Sequence, residues 1–119
     1  MSSYNFQKQF APAIEDGSKR CTIRARRKNG YLPVVGEHIK LYTSQRTKQC
    51  RLLREVTVTA VTPIVVDEDS IVLDGHLQSP IKAVLLAQKD GFKSWSDYIA
   101  FFKKRRGLPF NGYLIEWKS

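Results

Sequence analysis

A chain of 119 residues, 42% hydrophobic and 26% charged, has the composition of one globular domain and not of a disordered segment. Twenty Lys and Arg against eleven Asp and Glu leave a net charge of +9, which points to a polyanionic partner. No apolar run approaches the roughly 20 residues of a membrane span and MSSYNFQKQF is no secretory leader, so a cytoplasmic protein without a membrane partner is expected.

Phe6, Phe10 and Ile14 recur at the spacing of a helical face, and Gly17 stands where such a helix would stop. Pro12 belongs to a first helical turn, which predicts an extended start and then a helix over 11–16. Residues 22–26 alternate as a strand, placing Arg24 and Arg26 on one face where they can hold a phosphate. Asn29-Gly30 reads as a turn, and Pro33 with Gly36 marks a loop before a short strand at 37–42. The longest strand is expected at 49–61. Asp67, Glu68 and Asp69 form an acidic loop. Asp74-Gly75 is a two-residue hairpin signal between 70–73 and 76–78.

Ser79 caps a helix over 80–89 that has Pro80 at its first position and Gly91 to stop it. Ser94 and Asp97 have the spacing of a capping box opening a helix over 95–105. A closing strand follows at 112–117. Strands outnumbering helices around one core predict a mixed α/β domain over 1–119, a small β-barrel with two or three flanking helices.

Fourteen of the twenty basic residues fall in three clusters: 19–28, 46–54 and 103–106. Such a footprint suits a phosphate backbone, whose condensed counterions are released on binding. Tyr31, inside a basic loop, is placed to stack a base. Trp95, Phe101, Phe102 and Trp117 sit at core spacing instead. Cys21 and Cys50 with His38 and His76 lack metal-ligand spacing, so neither metal nor cofactor is expected. Two reduced thiols are the simplest reading, with a disulfide left open. Nothing indicates an assembly, and a monomer is the default.

Several ordered segments resemble one family. Gly17-Ser18-Lys19-Arg20-Cys21-Thr22-Ile23-Arg24 resembles the G-x-K-x-x-T-I-R signature of ASCH domains. Val35-Gly36-Glu37 with Ile39-Lys40-Leu41-Tyr42 is similar to the family's glycine turn and next strand. Leu86-Ala87-Gln88-Lys89-Asp90-Gly91-Phe92 resembles the L-A-x-x-D-G-F form of one branch, and Phe110 to Trp117 the closing strand. The resemblance implies a PUA-like β-barrel that binds or acts on RNA or modified nucleosides. Some small bacterial members are amidohydrolases of 4-acetylcytidine that use a Lys, a Thr and a Glu; another is described as a ribonuclease. By motif these roles fall on Lys19, Thr22 and Asp90, the last one methylene shorter than the family's glutamate.

Amide hydrolysis gives those residue types work to do. Thr22 supplies a hydroxyl nucleophile, and Asp90 protonates the leaving nitrogen or orients Lys19. Lys19 serves as base only after losing its proton, a loss favoured by a dry pocket and by Arg20 and Arg24 beside it. The phosphate-binding expectation covers Arg20, Arg24, Arg26, Arg27, Tyr31 and Arg46. Three readings stand open: a binding module for RNA or nucleosides, a nucleoside amidohydrolase, and a ribonuclease.

Overall fold

The computed structural model describes residues 2–28 and 30–118; Asn29 of the expected Asn-Gly turn lies outside them. In chain order the elements are β1 (Ser2–Phe6), a 3-10 turn (Lys8–Phe10), α1 (Ala11–Glu15), β2 (Cys21–Arg24), β3 (His38–Thr43) and β4 (Arg51–Val66). Then come β5 (Ile71–Leu73), β6 (His76–Leu77), α2 (Pro80–Lys89), α3 (Trp95–Arg105) and β7 (Phe110–Lys118). The helices fall where capping chemistry places them. Ser79 accepts the Lys82 amide at 3.3 Å, and Ser94 accepts the Asp97 amide at 3.1 Å. Asp74 and Gly75 both take positive φ (50° and 79°), the backbone of a tight hairpin turn.

Strand bounds shift from expectation, β7 for one starting at Phe110 and not at 112, and two of the shifts matter for the sheet. β2 stops at Arg24, so Arg26 lies beyond it and the alternation that paired the two arginines on one face breaks. β4 begins at Arg51 and continues through Pro63 to Val66, five residues past its expected end. It carries the sheet: its first half pairs with β3, its second with β7, and its last residues also with β5. The register slips by one residue between Val58 and Ala60, and this bulge bends the strand from one buried cluster to the other. One cluster gathers Tyr4, Phe6, Ile14, Leu41, Val56 and Trp117; the second packs Ile64, Ile71, Leu86, Tyr98 and Phe102 beneath α2 and α3. Phe92 and Phe101 touch both.

The expected small β-barrel is open: its sheet does not close on itself. The seven strands make one sheet running β2-β7-β4-β3-β1, with β5 also on β4 and β6 on β5, and among the described residues no backbone ladder joins β1 to β2. Arginine side chains occupy the β1 edge instead. Arg24 donates to the Asn5 carbonyl at 2.7 Å, and Arg27 donates to the Ser3 carbonyl. The two guanidinium carbons lie 5.2 and 4.8 Å from the centre of the Tyr4 ring. Carbonyls already paired in this way are closed to a neighbouring strand. Among the described residues no helix is long and apolar enough to cross a membrane.

Candidate functional site

A cleft of about 190 Å³ opens at the β1–β2 seam, between the sheet and α3. Its walls are Phe6, Phe10, Phe92, Phe101 and Phe102; its polar floor is Lys19, Thr22 and Asp90; Arg24, Arg105 and Arg106 stand among its remaining lining residues. This is smaller than the roughly 300 Å³ at which drug-sized pockets begin, and it suits a single ring.

Lys19 reaches the floor because the turn after α1 is fixed. Gly17 takes φ 85°, the Ser18 amide donates to Asp16 Oδ1 at 2.8 Å, and the Lys19 amide donates to the Ala13 carbonyl at 2.9 Å. Asp90 arrives from the end of α2 through paired terminal bonds. The Gly91 amide donates to the Gln88 carbonyl and the Phe92 amide to the Ala87 carbonyl, both at 3.0 Å, with Gly91 at φ 97°. A side chain on Gly91 would also meet Phe10 at 3.2 Å and the Lys19 stem at 3.4 Å. The glycine is required twice over.

Lys19 Nζ donates to the Asp90 carbonyl at 2.6 Å, to the Cys21 carbonyl at 2.9 Å, and to Asp90 Oδ1 in a short ion pair. The Asp90 carbonyl lies at the negative end of α2, which favours a cation there. An amine with a free lone pair has two N–H groups, one fewer than these acceptors, so the arrangement suits an ammonium. Both partners are buried, with 3% and 5% of their surfaces exposed, and Phe10 lies 5.0 Å from the ammonium. Tyr98 completes the set by donating to Asp90 Oδ2 at 3.1 Å.

Burial raises the Asp90 carboxyl above the usual carboxylate range, against the opposing pull of Lys19 and the Tyr98 hydrogen bond. Burial and the Asp90 charge push the Cys21 thiol up to about 12, so it stays a thiol and is no nucleophile at neutral pH. Burial, with Asp90 adding to it, also holds the Tyr98 phenol in its protonated form. The Thr22 oxygen accepts from Arg24 Nε at 3.2 Å and keeps its own proton to donate. Burial brings the Arg24 guanidinium down to about 10, still a cation at neutral pH.

Lys19, Thr22, Asp90 and Arg24 therefore meet in one cleft, whereas the other expected phosphate ligands do not join them. Arg20 lies in a shallow depression beside Lys89 and Glu116. Arg26 donates to the Gly30 carbonyl at 3.0 Å and packs on Tyr113, with 5.3 Å between guanidinium and ring centre. Tyr31 donates to Glu37 and stacks under Arg27. Arg27 and Arg46 line a separate groove. The sequence places Phe10 on a helical face and Phe92 in the 86–92 stretch without marking either as a ligand; Phe101 and Phe102 join the buried cluster as expected and line the cleft as well. Sequence reasoning also left Arg105 and Arg106 off the list of ligands. The basic run at 103–106, one helical turn beyond paired phenylalanines, was the signal available. Cys21 and Cys50 are both free thiols, and among the described residues no three His, Cys, Asp or Glu groups gather to hold a metal.

The architecture around this cleft is ASCH-like. The crystal structure of ASCH from Zymomonas mobilis matches with a TM-score of 0.61 over 98% of this chain and 66% of that one, at 18% identity. Two single-substitution variants of that protein give the same TM-score at 16% identity, over 66% and 68% of their chains. The chain thus spans about two thirds of the length of these neighbours, and at such identity the likeness is one of fold. No family model matches the chain, and no curated protein matches it by sequence.

Proposed function

We propose that the cleft takes in a single nucleobase of an RNA or a modified nucleoside, with the attached phosphate at the arginine mouth. The observation that carries this reading is the combination of five phenylalanine rings, a buried hydrogen-bonding floor and Arg24, Arg105 and Arg106 lining one cleft. An unstacked base exchanges its neighbours in the strand for aromatic faces, and guanidinium groups complement the phosphate. Calorimetric titration with cytidine and with 4-acetylcytidine tests it. Both should bind, and Phe101→Ala should weaken binding by about 10-fold, the lower part of what one base–aromatic stack is worth. No heat with either nucleoside, or an unchanged affinity in Phe101→Ala, removes the cleft as a base site.

The convergence of Thr22, Lys19 and Asp90 on the floor favours a second reading, hydrolysis of an exocyclic N-acyl group. In it the Thr22 oxygen attacks the acyl carbon and its proton passes by way of Asp90 to the departing nitrogen. Water then releases the acyl group from Thr22. Lys19 holds Asp90 in place as a fixed positive charge, a role that departs from the base expected from the sequence. Chromatography of 4-acetylcytidine incubated with the protein reads this directly: cytidine and acetate should appear, and Thr22→Ala should abolish them. Binding without turnover leaves the first reading alone, and cleavage of a labelled RNA in the same incubation would favour a ribonuclease.

A further inference from the structure

We propose a second subsite for the sugar–phosphate backbone of single-stranded RNA, in the groove beyond β1 lined by Arg27, Lys40, Tyr42, Gln45 and Arg46. The inference rests on the base-binding reading of the cleft and extends it to the neighbouring nucleotide. Three observations support it.

The groove is basic, and two of its cations are uncommitted. Among the described residues the side chains of Lys40 and Arg46 have no hydrogen-bond or ion-pair partner, although Glu55 stands opposite Lys40 in the β3–β4 register. Arg46 is exposed and Lys40 half-buried, so both charges are available to a phosphate. Tyr42, also half-buried, offers a ring between them.

The groove also adjoins the cleft through β1. Ser3 lines the groove and Asn5 lines the cleft. They share one face of the strand two residues apart, about 7 Å at the usual rise. Tyr4 turns the other way into the core, and Phe6 on that side reaches the cleft wall. Arg24 and Arg27 hold the carbonyls of these same two residues, which leaves guanidinium groups at the boundary between the subsites. A strand that places one base in the cleft passes its flanking phosphate over Arg27 towards Lys40 and Arg46.

Finally, the loop carrying Arg46 is held in place. Ser44 and Arg46 both take left-handed backbone (φ 56° and 65°), a conformation that side-chain-bearing residues adopt at a cost. Gln45 between them is tied to β1 by its amide to Asn5 Oδ1 at 2.9 Å and its side chain to Ser3 Oγ at 3.1 Å. The polar surface of β1 thus fixes the position of Arg46 relative to the cleft.

Fluorescence anisotropy with a labelled cytidylate decamer across a salt series, alongside calorimetry with cytidine, tests the subsite. The decamer should bind more tightly than cytidine. Lys40→Gln with Arg46→Gln should lower decamer affinity by about 10-fold and flatten the log–log salt slope by about 1.4, two single-strand phosphate contacts at about 0.7 each. Cytidine binding should not change. A charge-matched control, Lys82→Gln with Lys93→Gln, should leave the decamer slope as in the wild type. The subsite is overturned if the decamer binds no better than cytidine, if the groove pair leaves the slope intact, or if the control flattens it equally. Cytidine binding that persists in those cases keeps the cleft reading alive. Failure of both ligands to bind overturns both, and tighter binding of a polyglutamate peptide than of the decamer assigns the groove to an acidic protein instead.

Discussion

The sheet is joined by two different devices on either side of β2. Towards β7 the join is a backbone ladder from Cys21 opposite Glu116 to Arg24 opposite Tyr113. Towards β1 it is made of side chains: Arg24 and Arg27 reach the carbonyls of Asn5 and Ser3, and Lys19 with Asp90 fills the space behind. A backbone ladder excludes ligand because its N–H and C=O groups are paired and its strands lie only about 4.8 Å apart. A side-chain join leaves a gap lined by charge and rings. The cleft lies at the second join because the first kind was not made there.

The comparison breaks most severely at the buried pair. Asp90→Ala strands the Lys19 ammonium without its anionic partner and should cost about 3–5 kcal/mol in urea unfolding. Replacing both partners by Lys19→Met with Asp90→Leu should recover most of that loss. By contrast Glu15→Gln, which removes the exposed pair with Arg51, should shift stability by less than about 1 kcal/mol.

Removing the side-chain join itself comes next. Arg24→Met deletes a charged donor to the Asn5 carbonyl and to Thr22, and should cost about 1.5–3 kcal/mol. Hydrogen exchange in β1 should quicken while β7 stays protected. Gly112→Ala attacks the ladder side instead. Its Cβ would lie 2.6 Å from the Phe110 ring and 2.8 Å from the Arg24 carbonyl, a clash worth about 1–3 kcal/mol. Exchange should then quicken in β2 and β7 first.

The smallest effect is electrostatic. The Asp90 carboxyl titrates above its unfolded value, so between the two the native state holds the extra proton. Its contribution to stability therefore falls as pH rises through a window opening at about 3.9, and below that window both states are protonated. Unfolding measured in steps from pH 4 to 8 should show this slope in the wild type and lose it in Asp90→Asn. A thiol reagent sharpens the picture: Cys50 should react in the folded protein, and buried Cys21 only on unfolding.

Much of this was legible in the residues because it depends on neighbours a few positions apart. Ser79 and Ser94 cap helices within three residues, Asp74-Gly75 turns a hairpin alone, and Gly91 ends α2 through its own φ. The signature 17–24 likewise marked Lys19 and Thr22, and the stretch 86–92 marked Asp90. Packing decided the rest. The alternation that paired Arg24 with Arg26 ended when β2 stopped at Arg24, and β4 ran past Pro63 because β7 was there to pair with it. Whether β1 and β2 would meet as strands depended on residues far apart in sequence, since the Arg24 and Arg27 side chains hold the Asn5 and Ser3 carbonyls. The same long-range contacts brought Phe10, Phe92, Phe101 and Arg105 to one opening from three separate segments. Local sequence fixes φ, ψ and caps through short-range sterics and hydrogen bonds; which faces share a cleft is set by the docking of whole elements, and only the tertiary structure contains that.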